Sequence, residues 1–212
     1  MLRRLCALVV GALAIFAPTP VRSHGYLVQP PSRNYLAYKA GLDYDVMSLN
    51  GGGPWSVWPS GNWQPGGGGN HPICGREQYS APGASTATWQ AGQDVQLSVV
   101  ITAPHAGLFY FGLCSVGRES PDCFARHKLL NTEDGTDYFN LKNRGGSFYG
   151  AAGTYTMTFR LPADAPTGLC TLQWYYLTAN SCDPPGMADP PTGMGVCGGS
   201  AIPGGSQLLA VR

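Results

Sequence analysis

The sequence predicts an all-β chain, an antiparallel immunoglobulin/fibronectin-like β-sandwich with long loops and disulfides. Three observations carry that expectation. Four segments show the alternating or apolar pattern of strands. The 30 glycines and 18 prolines interrupt any long helical period. Six of the seven cysteines follow residue 23, an even set of the kind that staples loop-rich extracellular domains.

Residues 1–23 read as a secretory signal. Arg3 and Arg4 begin it, an apolar run from Leu5 to Phe16 follows, and Val21-Arg22-Ser23 ends small. The apolar run is well short of the ~20 residues that a membrane-spanning helix needs. Cleavage is expected between Ser23 and His24, giving a secreted, extracellular protein. Residues 24–212 are expected to form one domain, since they suffice for a full core and show neither an internal repeat nor a linker to a second module.

The mature chain opens with HGYLVQPPSRN and continues into Tyr35–Leu49, which holds short helical turns at best. Residues 50–70, NGGGPWSVWPSGNWQPGGGGN, are too rich in glycine and proline for a helix. Trp55, Trp58 and Trp63 make this stretch a decorated loop and not a plain linker. Strand patterns follow at Asp94–Thr102 (DVQLSVVIT) and Gly107–Cys114 (GLFYFGLC), the second after a Pro-His-Ala-Gly turn. Thr154–Leu161 (TYTMTFRL) alternates strictly, and Cys170–Thr178 (CTLQWYYLT) is a further strand. Strands joined by Gly/Pro turns call for two packed sheets.

Cys74, Cys114, Cys123, Cys170, Cys182 and Cys197 remain once Cys6 leaves with the signal, and three disulfides are expected. Cys114–Cys123 is the one pair the sequence assigns, because it closes a short loop containing Gly117 and Pro121. Zinc is disfavoured by the lack of any CxxC pair or HExxH. Loss of Arg3, Arg4 and Arg22 from 13 basic residues leaves ten against 12 acidic ones, a nearly neutral chain. Nucleic acid and membrane are therefore not expected as partners, since either favours a basic patch. A neutral or solid polysaccharide suits such a surface.

A histidine at a new N-terminus carries two donors, its α-amine and a ring nitrogen. They titrate near ~8 and ~6.5, so both can release protons to a metal around neutral pH. A further imidazole would complete a three-nitrogen set favouring copper(II). His105, in the turn of ITAPHAGLFYFGLC between two strand patterns, is the candidate for it. His71 and His127 read as surface residues, and Arg33 as a structural anchor of the first segment.

Three blocks in order, HGYLVQPPSRN, TAPHAGLFYFGLC and PTGLCTLQWYYLTAN, resemble the copper-dependent lytic polysaccharide monooxygenases, most closely their chitin-binding type 4 group. The opening His-Gly-x-Leu-x-x-Pro-Pro-Ser-Arg is fairly specific, and the blocks span residues 24–180. The resemblance implies a histidine brace in which His24 and His105 hold one copper ion per chain. It implies oxidative cleavage of insoluble chitin or cellulose, with an external electron donor and O2 or H2O2, by a monomer. In such chemistry copper activates the oxidant and a sugar C–H bond is hydroxylated, which breaks the glycosidic link.

The family usually supplies an axial Phe or Tyr on its last strand, but here Tyr176 is the last aromatic residue, and no axial residue is assigned. Gln207–Val211 either replaces the closing strand or no such strand exists. Gln173 is a candidate for positioning oxygen, with an ordinary strand glutamine as its alternative. Tyr26, Trp55, Trp58 and Trp63 are candidate sugar-stacking residues, the tryptophans alternatively filling a small core under their loop. No carboxylate pair of glycosidase type stands out. A non-catalytic polysaccharide-binding module would bind the solid without copper-dependent cleavage. A secreted copper-binding protein would bind the metal without affinity for polysaccharide.

Overall fold

The computed structural model describes residues 24–42, 83–180, 182–184, 186, 187, 189, 195, 196 and 208–211, with His24 and 208–211 described by backbone alone. Residues 1–23, the loop carrying Trp55, Trp58 and Trp63, and His71, Cys74 and Cys197 lie outside the described residues. The elements in order are β1 (His24–Gln29), α1 (Arg33–Lys39), β2 (Asp94–Ala103), β3 (Leu108–Ser115), α2 (Pro121–Arg126), β4 (Leu130–Asn131), β5 (Tyr138–Asn140), β6 (Gly153–Arg160), β7 (Cys170–Leu177) and β8 (Leu208–Val211). They form two antiparallel sheets, β1-β2-β6-β4 and β5-β3-β7-β8. The expected sandwich is the observed fold.

Alternation along the strands builds the core. Val95, Leu97, Val99 and Ile101 of β2 turn inward with Met157 and Phe159 of β6. Phe109 and Phe111 of β3 and Trp174 and Tyr176 of β7 meet them from the second sheet. The rings interlock edge to face: Phe109 against Trp174 at 5.4 Å, Phe109 against Tyr176 at 4.8 Å, and Phe111 against Phe159 at 4.9 Å. All four strongly patterned segments are strands within a residue or two of their expected limits. α1 begins two residues before the segment expected to hold helical turns and overlaps its first five residues, and the Ser32 side chain caps it by accepting from the Tyr35 N–H.

The cysteines correct one expectation. Cys114 and Cys123 are bonded as expected, with 5.6 Å between their Cα atoms, tying β3 to α2. Cys182 is also disulfide-bonded. Cys170 instead carries a free thiol. It begins β7 opposite Ser115, while the adjacent Cys114 faces Thr171 and is already bonded to Cys123. The Cys170 sulfur points back to the Pro166 carbonyl oxygen at 3.4 Å, and burial raises its pKa above that of an ordinary thiol. The pairing geometry thus leaves Cys170 outside a third disulfide.

The turn between β2 and β3 is built against backbone preference. Ala106 has φ +49° and Gly107 φ +93°, and an L-residue in the left-handed region costs about 1–2 kcal/mol. Hydrogen bonds offset that cost. The Tyr176 hydroxyl accepts from the His105 N–H at 3.1 Å and donates to the Ala106 carbonyl at 2.7 Å. The Ala179 N–H donates to the His105 carbonyl at 3.0 Å. Gly107 is required twice over, since a Cβ there would meet the Leu177 carbonyl oxygen at 2.1 Å.

Two substitutions separate the roles of core and clamp. Phe159→Ala is expected to cost about 3–5 kcal/mol in urea unfolding through the cavity it leaves. Tyr176→Phe keeps the ring but orphans a buried donor and a buried acceptor, each worth about 1–3 kcal/mol. Its loss should appear in hydrogen exchange first at the amides of residues 105–107; uniform destabilisation without that local signature would contradict the clamp.

Candidate metal centre

The two histidines singled out by sequence belong to segments far apart in the chain, and strand pairing brings those segments together. β1 runs antiparallel to β2 with His24 opposite Ala103, the last residue of β2. His105 follows two residues later, in the turn that leaves that strand. A register irregularity separates His24 from Gly25, which pairs with Ile101. Gly25 makes this approach possible: a Cβ on it would fall 2.6 Å from Ile101 Cδ1 and 2.8 Å from the Val100 carbonyl oxygen. The glycine beside His24 therefore lets the first strand seat on the second sheet's Trp174.

His105 is buried, at 9% exposure. Its backbone is held on both sides, by Tyr176 at the N–H and by Ala179 at the carbonyl. Its ring Nε2 is buried, and an imidazole nitrogen is a common metal donor. Among the described residues no group of three or more His, Cys, Asp and Glu could hold a metal. The donors that His24 and His105 can offer are nitrogens, a set that suits copper(II).

Other candidates fall elsewhere. Gln173 is buried on the outer face of the second sheet, opposite Gly112 and under α2. A Cβ at Gly112 would meet the Phe124 carbonyl oxygen at 2.7 Å, so α2 sits hard against this spot. Gln173 lies four residues, roughly 13 Å of strand, before Leu177 at the His105 end. The structure does not bring it to His105. Tyr26 points to the outer face of the first sheet, half-buried, with its ring stacked on Tyr35 of α1 at 5.3 Å. Burial, with Tyr35 and Tyr38 nearby, raises its pKa. Tyr26 packs the helix on the sheet with one ring face already covered. His127 caps α2, its Nδ1 lying 3.1 Å from the Cys123 carbonyl oxygen.

The closing strand exists. β8 pairs antiparallel with β7, Leu208 opposite Leu177 and Leu209 opposite Tyr176. Its residues are Leu208, Leu209, Ala210 and Val211, so it brings no aromatic side chain to this end. Tyr176 is not available as an axial group either, because its ring is fully buried and its hydroxyl is committed to the turn.

Sequence reasoning passed over Phe148 and Tyr149. The Ala106 N–H donates to the Tyr149 carbonyl at 2.6 Å, which sets this aromatic pair beside the His105 turn. Two adjacent aromatics between glycines, in GGSFYG, where no strand pattern explains them, were the available signal.

The family model described as lytic polysaccharide mono-oxygenase, cellulose-degrading, matches residues 24–184, beginning at His24 itself. A solved structure of a lytic polysaccharide monooxygenase AA15 from Thermobia domestica, in the Cu(I) state, superposes with a TM-score of 0.60 at 26% identity. The match covers 88% of this chain and 95% of that one. No curated protein matches the chain. Copper is the cofactor of this family, and the nitrogen donors described above suit it. With the matched span opening on His24 and running through the His105 turn to the end of β7, the chain belongs to the lytic polysaccharide monooxygenases.

Proposed function

We propose that this protein is secreted, is cut between Ser23 and His24, and as the mature domain 24–212 cleaves insoluble chitin or cellulose oxidatively with one copper ion. The observation that carries this reading is the pairing of His24 with Ala103, which puts the start of β1 at the strand end from which His105 departs. His24 would hold the metal through its freed α-amine and its ring, and His105 through its imidazole. When bound, copper supplies one-electron activation of O2 or H2O2, with electrons from an external donor, for hydroxylation of a sugar C–H bond.

The protein's own share is positioning. Tyr176 fixes the backbone on either side of the His105–Ala106 peptide, and Gly25 fixes how closely β1 lies on β2. Both constraints are rigid elements of the sandwich, which holds a ligand set better than a free loop would. Neither Gln173 nor Tyr26 is given a part at the metal. Trp55, Trp58 and Trp63 remain candidate sugar contacts, and the protein acts as a monomer.

The test is copper(II) titration followed by electron paramagnetic resonance, using protein that begins at His24. One copper per chain with a tetragonal nitrogen spectrum is expected, and one extra residue before His24 should weaken binding by at least about a hundredfold through loss of the amine chelate. Equal, weak binding by both forms would sink the brace. His105→Ala should likewise abolish the spectrum while leaving secondary structure unchanged by circular dichroism. With reductant and O2, the processed protein should release oxidised oligosaccharides from chitin or cellulose. Retention on the solid with no oxidised product would identify a binding module instead.

A further inference from the structure

Resting on that reading of the site, we infer that Phe148 and Tyr149 form a rigid stacking platform for the rings of a neutral polysaccharide, fixed directly to the His105 turn. Phe148 is 47% exposed and Tyr149 45%, and their rings meet edge to face at 5.1 Å. They present two differently oriented apolar faces to solvent, where the C–H face of a pyranose ring can pack. An exposed aromatic pair usually has no reason to be immobile. The backbone beneath this one is tied down on both sides.

The loop that carries the pair is bonded to the turn from both ends. The Leu141 N–H donates to the Gly107 carbonyl at 2.9 Å, and the Ala106 N–H to the Tyr149 carbonyl at 2.6 Å. Within the loop, the Asn143 N–H donates to the Phe148 carbonyl at 3.3 Å and the Gly150 N–H to the Ser147 carbonyl at 2.9 Å. Asn143, Gly145 and Gly146 all take positive φ, which folds the chain back beneath the aromatics. Gly150 lies against Leu141, where a Cβ would meet Cγ at 2.7 Å. The Tyr155 hydroxyl pins the next residue, donating to the Ala151 carbonyl at 2.6 Å and accepting from its N–H at 2.9 Å. A platform ordered in advance loses little freedom on binding.

Charge selects the ligand class. The loop's two basic residues are both paired: Lys142 with Asp189, and Arg144 with Glu133 at 3.1 Å. Lys142 also sits 5.4 Å over the Phe148 ring, and Arg144 lies 4.6 Å over Phe139, so both cations are already engaged within the protein. What faces outward is apolar ring surface without a surplus of positive charge. That suits an uncharged glycan and not a polyanion.

The experiment uses the processed, copper-loaded protein without reductant, so that nothing is cleaved, and measures retention on chitin and on cellulose powder. Phe148→Ala/Tyr149→Ala should bind the retained polymer at least about tenfold more weakly, with an unchanged copper(II) resonance spectrum. Phe148→Tyr/Tyr149→Phe keeps two aromatic faces and should bind like the parent. The spectrum and circular dichroism report whether the alanine variant is folded and metal-competent, and the conservative variant reports the faces independently. Retention of the alanine variant equal to the parent overturns the platform, as does absence of parent retention on both polymers. Tighter binding of polygalacturonate than of either neutral polymer overturns the assigned class. If the parent fails to bind copper, the metal reading falls, while the loss of retention in the alanine variant alone still supports the platform.

Discussion

One hydroxyl group organises the end of the sandwich at which the chemistry is set. Tyr176 projects from β7 through the core and ends between two peptide groups of the β2–β3 turn, accepting from one and donating to the other. A phenol is suited to this because its single O–H both gives and takes a hydrogen bond. A phenylalanine would fill the same space and satisfy neither peptide group. The ring is fully buried against Phe109 and Trp174, so the hydroxyl cannot wander. The left-handed Ala106 and Gly107 are thereby held in a conformation that the turn would not favour alone. The position of His105 is in this sense a property of the second sheet, although the residue follows a strand of the first.

His24 reaches the same place by a different constraint. β1 is an edge strand, and its pairing with β2 alone would leave its distance from the second sheet undetermined. Gly25 determines it, since only a residue without Cβ tolerates the Ile101 methyl, the Val100 carbonyl and the Trp174 ring at once. The turn and the edge strand therefore converge on one aromatic stack, Trp174–Tyr176, whose rings lie 6.1 Å apart and nearly parallel. The contacts that pack the core are also those that set the His105 turn and the start of β1.

How much of this was legible in the sequence follows from what each signal encodes. Strands buried on one or both faces declare themselves through apolar alternation, and β2, β3, β6 and β7 were visible for that reason. β4 and β5 have two and three residues, too short for a period to develop. β1 hid behind its own motif, since HGYLVQ reads first as a start and only then as a strand. α2 is six residues opening on proline, capped by Ser120, and leaves almost no helical period. The pairing of β8 with β7 was open because LLAV has strand propensity but no partner that sequence can name. His24 and His105 stand out in the sequence because their chemistry is unusual at those positions, and strand pairing brings their segments to one end of the sandwich. Alternation gave Gln173 a face but not a place along the strand, and the structure sets it opposite Gly112, away from the His105 end. Cys170 defeated parity arithmetic because pairing depends on which cysteines face each other across the sheet. Phe148 and Tyr149 carry no period at all, and what sets them beside the His105 turn is a hydrogen bond from Ala106 to the Tyr149 carbonyl, between residues far apart in sequence.

The arrangement of open space bears on why the chemistry is placed on a turn. A cavity of ≈ 410 Å³ is lined by Leu27, Pro31, Leu113, Leu161 and Leu172. Leu27 and Pro31 lie past the middle of β1, Leu113 near the end of β3, and Leu172 near the start of β7. Each is far along its strand from His24, Leu108 and Leu177, so this cavity belongs to the opposite end of the sandwich from His105. A hydrolase needs a chain drawn into a cleft between its acid and its base. Here the histidine sits instead on a rigid turn flanked by an exposed aromatic pair, with its backbone held from beneath by a buried phenol. A solid face can be brought to such a turn without a chain being pulled out of it. Under the proposed function, the stiffness of the sandwich would do for an immobile substrate what a closing lid does for a mobile one, fixing the His105 turn before contact is made.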